Sequence, residues 1–197
     1  MSKVLSALSV SVDGYITGRE PGPGRGLGDG GVLFDWYGDG DTPSKVFDGF
    51  RLSAESVRVF DELAASVGVV ISGRNTYDDS GWSAGGKPHP LAPLVVLSHR
   101  PAPAAWPEQT FVSTGIEEAI AVAREQAGGK DVALQGGGVV TEALKAGLVD
   151  ELILHQVPIL LGGGRPYFQA LPDHIALELV EVVPAPGVTH LHYRVVR

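Results

Sequence analysis

Residues 67–72 read Val-Gly-Val-Val-Ile-Ser, with Val67, Val69, Val70 and Ile71 spread over both alternating sides of a strand. A strand that is apolar on both sides has to be covered on both faces, which is the signature of a parallel sheet sandwiched between helices. Further short β-branched runs bounded by turn residues lie at 4–12, 94–98, 110–113, 131–135, 151–157, 176–183 and 189–196. The last two alternate more clearly and are separated by Pro184-Ala-Pro-Gly187, which predicts an antiparallel hairpin.

Helical periodicity appears between the strands. Val57, Phe60, Leu63, Ala64 and Val67 share one face behind a possible Ser53 cap. Thr114-Gly-Ile-Glu117 has the form of a capping box, followed by the apolar stripe Ile116, Ala119, Ile120, Ala123 and Ala127 and a stop at Gly128-Gly129. A third, shorter helix is expected over 139–146, ended by Gly147. Strands alternating with helices before a closing hairpin predict an α/β fold with a central mixed, mostly parallel sheet.

The chain of 197 residues suits one domain, residues 1–197. With 15 basic against 23 acidic side chains it has a net charge of −8, which speaks against a nucleic-acid partner. There is no cysteine, hence no disulfide, thiolate metal site or thiol nucleophile. Residues 1–8 lack a signal-peptide pattern, and no apolar run reaches the ~18 residues of a membrane span. The expectation is a soluble, cytoplasmic protein acting on a small molecule, without membrane contact. The 27 glycines and 14 prolines concentrate at 18–40, 81–93 and 101–107, where they punctuate the fold.

Chemistry is expected at strand ends. Asp131-Val-Ala-Leu-Gln-Gly-Gly-Gly138 runs into a helix opening at Val139. Glycine admits a ligand close to the backbone, and a helix N-terminus favours an anion, so this is either a phosphate cradle or a tight turn that binds nothing. Ile71-Ser-Gly-Arg-Asn-Thr-Tyr77 offers Arg74, Asn75 and Thr76 beside Gly73, and Leu97-Ser-His-Arg100 offers Ser98, His99 and Arg100. Each alone is an ordinary polar loop; together they sit where open α/β sheets bind ligands. Gly26-Leu-Gly28-Asp-Gly-Gly31 fits G-x-G-x-x-G, but no strand leads into it and no periodic helix follows, so it reads as a mobile loop. Gly162-Gly-Gly164-Arg165 lines a pocket or merely turns the chain. No G-x-S-x-G or H-E-x-x-H occurs, and His190 and His192 lack a third ligand, so no metal site is expected.

In order, Val12-Asp13-Gly14-Tyr15-Ile16, Gly73-Arg74-Asn75-Thr76-Tyr77, Leu97-Ser98-His99-Arg100, Gln135-Gly136-Gly137-Gly138 and Pro158-Ile-Leu-Leu-Gly-Gly-Gly164 resemble the dihydrofolate reductase-like superfamily. The resemblance covers nearly the whole chain and falls in the riboflavin-biosynthesis reductase branch, the RibD C-terminal domain. It implies NADPH as hydride donor, with pyrophosphate at the turns of Gly73 to Thr76 and Gly136 to Gly138, flanked by Gln135 and Val139. It further implies Ser98, His99 and Arg100, with Arg74, around the 2′-phosphate. Val10 and Asp13 would border the nicotinamide and substrate, with Asp13 either acting on substrate or tying a turn. The 18–40 loop, with Asp35 and Trp36, would be a lid, and Gly163 would line the substrate side. The implied substrate is a phosphoribosylaminopyrimidine or another small heterocycle, and the implied assembly a homodimer. The alternatives are dihydrofolate reduction and a non-catalytic nucleotide-binding dimer. Against dihydrofolate, Glu55, Asp61 and Glu62 on the first helix match no acidic position of that enzyme.

Overall fold

The computed structural model describes residues 2–103 and 109–197, so Trp106 and Pro107 lie outside the described residues. An eight-stranded sheet has the order β6-β5-β4-β7-β1-β8-β10-β9. Its strands are β1 (Val4–Ser11), β4 (Val67–Gly73), β5 (Leu94–Leu97), β6 (Thr110–Val112), β7 (Asp131–Gln135), β8 (Glu151–Val157), β9 (Leu177–Ala185) and β10 (Val188–Val195). Strands β6 through β8 are mutually parallel, and the closing hairpin adds β10 antiparallel to β8. A separate ribbon pairs β2 (Thr42–Pro43) with β3 (Arg51–Leu52), strands too short to show in the sequence pattern.

The double-sided apolar pattern of β4 does what it predicted. Val69 and Ile71 join the main core beneath α3 (Ile116–Gln126) and α4 (Gly137–Lys145), with Val4, Leu134 and Ile120. Val67 and Val70 face the opposite side with Tyr77 and Leu94. A register shift between Val67 and Val69 puts these two valines on one side despite their odd spacing. That second face is covered by α1 (Ala54–Ser66), whose Ser53 side chain accepts from Ser56 N as its cap.

Several local expectations need correction. The Thr114–Glu117 capping box does not form: Gly115, at φ +129°, is the N-cap of α3, and no side chain caps it. With the glycine in the half-in position, Thr114 falls one residue too early to reach the first turn. Helix α4 begins at Gly137, two residues before the expected Val139, because Gly136 at φ +97° turns the chain straight from β7 into it. The Gly73–Thr76 segment, read as a turn, instead opens the short helix α2 (Arg74–Asp79).

The 18–40 segment, read as a lid with a mobile loop at 26–31, carries regular contacts along its length. Gly18 N bonds to Leu27 O at 2.9 Å, Asp29 accepts from Arg19 N, and Gly28–Tyr37 forms a 3₁₀ turn that buries Leu33 and Trp36. The hairpin is as expected, but β9 does not bury one face. It is the sheet edge, and Leu177, Leu179, Val180 and Val182 are all between 43% and 54% exposed.

Candidate active-site cleft

Because β1, β4, β5 and β7 are parallel, their carboxyl ends lie along one rim of the sheet, where a cleft of about 660 Å³ opens. Its floor is the β7–α4 junction. A β-carbon on Gly136 would strike Thr76 Oγ1, and one on Gly137 would strike the carbonyl oxygens of Pro166 and Tyr167. Only glycine permits this packing, and it leaves the first amides of α4 facing the cleft at the positive end of the helix dipole. Gly138 and Val139 complete that turn and also line the cleft.

One wall carries a cluster of donors. Arg74 Nε meets both carboxylate oxygens of Asp78 at 2.9 and 3.1 Å, and its Nη1 bonds to Pro101 O at 2.9 Å. Arg100 reaches the same carboxylate through Nη1 at 3.0 Å, and its Nη2 bonds to Asn75 Oδ1 at 2.9 Å. Ser98 Oγ accepts from Arg100 N at 3.0 Å and lies 3.4 Å from Arg74 Nη1. Two guanidinium groups thus share one carboxylate, leaving a net positive charge on two planar forks already held in place. His99 stands exposed beside them.

The structure also brings in Asp79, which the sequence did not mark, and Arg165, from the glycine run read as lining a pocket or turning the chain. Asp79, buried at the end of α2, forms an ion pair with Arg165 across the cleft lining. Arg165 is fixed by its own backbone, whose N–H donates to Thr17 Oγ1 and whose carbonyl accepts from Ile16 N. The run Gly162-Gly-Gly164-Arg165 was the available signal for it; for Asp79 there was none, since its role depends on where α2 ends.

Five expected site residues lie elsewhere. Strand β1 lines the cleft with Ala7, Leu8 and Ser9, whereas Val10 is 2% exposed and packs in the main core. Asp13 is an exposed tie between loops. It accepts from Ser11 Oγ at 2.6 Å, Leu161 N at 3.1 Å and Gly162 N at 2.7 Å. The Ser11 hydroxyl, with the two amides, holds its carboxyl below the usual carboxylate range, which suits a fixed anion and not a proton donor. Gly163 packs on the Arg19 side chain, outside the cleft lining. Trp36 is 3% exposed and packed inside, not over the cleft: its indole N–H donates to Ser9 Oγ at 3.1 Å, and its ring centroid is 5.2 Å from both His155 and His190. Asp35 points to solvent, and the same segment instead lines the cleft with Phe34 and Tyr37.

Behind this wall the cleft continues into a chamber of about 230 Å³ on the α1 side of the sheet. The two spaces share Ala7, Phe34, Tyr37, Trp82 and Gln135 as lining. Burial raises the Tyr37 hydroxyl to about 12, so it stays neutral. His155 and His190 sit beneath the chamber, their Nδ1 atoms 2.8 Å apart, and His190 Nε2 lies 2.9 Å from Ser56 Oγ.

A parallel sheet with glycine-backed amides and a cationic cluster at its carboxyl rim gathers donors suited to an anionic ligand in one α/β cleft. A family model described as the RibD C-terminal domain matches residues 2–191, and the chain belongs to that family. It is similar to the uncharacterized protein YwjB of Bacillus subtilis (strain 168), with 24% identity over 191 residues and 97% of each chain covered. Among solved structures it is similar to a putative riboflavin biosynthesis protein from Shewanella sp. PV-4, with a TM-score of 0.70, 25% identity and 100% of both chains covered. The fold is also that of dihydrofolate reductase from Enterococcus faecalis, solved with NADP(H), with a TM-score of 0.61, 15% identity and coverage of 99% and 97%. The protein is thus a RibD C-terminal domain family member of dihydrofolate reductase-like fold. Among the described residues, no helix is long and apolar enough to cross a membrane.

Proposed function

We propose that this protein is an NADPH-dependent reductase of a small heterocyclic substrate. The observation that carries the reading is the pair Arg74 and Arg100, held with Ser98 at one end of a cleft whose floor is the glycine-backed start of α4. A 2′-phosphate suits the first group and a pyrophosphate the second. The Enterococcus faecalis neighbour, solved with NADP(H), supports the same occupant on the same fold.

When bound, NADPH supplies a hydride. The chain's own residues bind and orient: the guanidinium forks take the 2′-phosphate, and the amides of Gly137, Gly138 and Val139 take the pyrophosphate. Ala7 of β1, with Phe34 and Tyr37, lines both the cleft and the chamber, and this largely apolar boundary would keep bulk water from the hydride. Positioning of the two partners then supplies the rate. Asp13 lies outside the cleft and the Tyr37 hydroxyl stays neutral, so neither is assigned as the proton donor.

We further propose a homodimer, with β9 at the interface. An exposed edge strand that is apolar on both faces is otherwise a site of uncontrolled association. Crystals soaked with NADPH test the cofactor assignment: density in the cleft with phosphate against Arg74 and Arg100 supports it, and a cleft in which the dinucleotide never appears overturns it.

A further inference from the structure

We propose that Arg165 is a third cation of the dinucleotide site, serving the diphosphate bridge, and that Asp79 competes with the ligand for it. This rests on the dinucleotide reading of the cleft and adds a residue pair to it.

The pair joins the two sides of the β7–α4 junction. In the sheet, β7 lies between β4 and β1. On the β4 side, Thr76 of α2 meets Gly136, and Asp79 follows three residues later on the same face of that helix. On the β1 side, Pro166 bridges to Tyr15, and its carbonyl oxygen is one of those closing on Gly137. Arg165 precedes that proline, and its Nη1 pairs with Asp79 Oδ2. Both side chains line the same cleft as the glycine turn. The ion pair is therefore a strap beside the amides that would take the diphosphate.

The two halves of the strap are unequal. The Asp79 side chain is 7% exposed, whereas that of Arg165 is 37% exposed and has no second ion-pair partner among the described residues. With the Arg165 backbone bonded to Thr17 Oγ1 and Ile16 N, what remains adjustable is its side chain. The acid is the fixed half and the guanidinium the half that can turn to a ligand.

A buried carboxylate in a cleft built for an anion repels the ligand unless it is neutralised. Paired with Arg165, it leaves the strap without net charge. A diphosphate offers the guanidinium further charged acceptors, and the planar fork has N–H groups enough for both. Ligand and acid thus draw on one guanidinium, and the charge of the acid tempers binding. The other acids nearby are engaged elsewhere. Glu142 lines the cleft but accepts from Lys145 at 3.1 Å, and Asp78 is taken by Arg74 and Arg100. Those two arginines discriminate NADPH from NADH, whereas the strap reads only what the two dinucleotides share.

Isothermal titration of the full chain with NADPH, NADH and adenosine 2′-monophosphate tests this; the last carries the 2′-phosphate and no diphosphate. Asp79→Asn, which keeps the side-chain shape and an acceptor for Arg165, is expected to tighten NADPH and NADH alike by roughly threefold or more. Arg165→Ala leaves Asp79 buried and unpaired, and is expected to weaken both by about tenfold or more. Neither variant should move the monophosphate, which a general loss of structure would. Asp79→Asn that weakens the dinucleotides or leaves them unchanged overturns the proposal. So does Arg165→Ala that leaves them unchanged or loses the monophosphate with them. Should Arg165→Ala fail to fold, Asp79→Asn decides alone. Dinucleotide binding that the variants do not move overturns the strap and leaves the cofactor reading standing, whereas no binding to the unsubstituted protein overturns both.

Discussion

Thr76 and Gly136 stand in van der Waals contact across two different strand ends, so close that any β-carbon at position 136 would overlap Thr76 Oγ1. This contact locks the β4–α2 turn against the β7–α4 turn and so fixes the donor cluster relative to the cradle. Gly136 also holds φ at +97°, where an alanine is strained even in open space. Gly136→Ala is therefore expected to lower stability by about 1–3 kcal/mol in urea unfolding. The same variant should weaken NADPH binding, because the α4 amides shift with it.

The two arginines of the donor cluster should be separable from the rest of the protein. Arg74→Ala or Arg100→Ala is expected to weaken NADPH binding by about 1–3 kcal/mol, the cost of losing a charged hydrogen bond. NADH binding should change little. Titration of both dinucleotides against each variant checks this.

Acid should destabilise the fold through its buried histidines. Burial, and then the neighbouring His190, lowers His155 to about 3; burial, and then Arg58, lowers His190 to about 4. Unfolded histidines titrate near ~6.5, so between that pH and about 4 the unfolded chain binds more protons than the folded one. Stability is therefore complete above pH ~6.5 and falls as pH drops, with a slope of up to about 1.4 kcal/mol per pH unit for each proton. Urea midpoints at neutral pH and at mildly acidic pH measure the effect, and the slope should shrink in His190→Asn.

The apolar edge strand gives a further outcome. Sedimentation of the purified chain is expected to show a dimer, and Leu179→Glu, which places a charge on a residue 54% exposed, should shift it to monomer without unfolding it. A monomer at all concentrations would contradict the β9 interface.

Much of this architecture was legible in the residues. The double apolar face of β4, the Ser53 cap and the glycine stops at Gly128, Gly129 and Gly147 are local signals, and the structure follows them. The site was legible where a strand ends in donors or glycines: Gly73, Arg74, Asn75, Thr76, Ser98, His99, Arg100 and Gln135 to Val139 all line one cleft. What failed depended on long-range packing. Trp36 looked like part of a lid because its burial is set by His155 and His190, more than a hundred residues away. For Asp13 the residues left open a role on substrate or a tie in a turn, and the structure shows the tie, to Leu161 and Gly162, which are equally distant. Asp79 gave no sign at all, since its partner Arg165 meets it only in the folded cleft.

Parallel titrations of NADPH and NADH, followed through the fluorescence of Trp82 at the junction of cleft and chamber, test the central assignment most directly. With Arg74, Ser98 and Arg100 gripping a 2′-phosphate, NADPH should bind at least about tenfold more tightly, in keeping with a net charged hydrogen bond. Equal affinity for the two, or binding of neither, would contradict it.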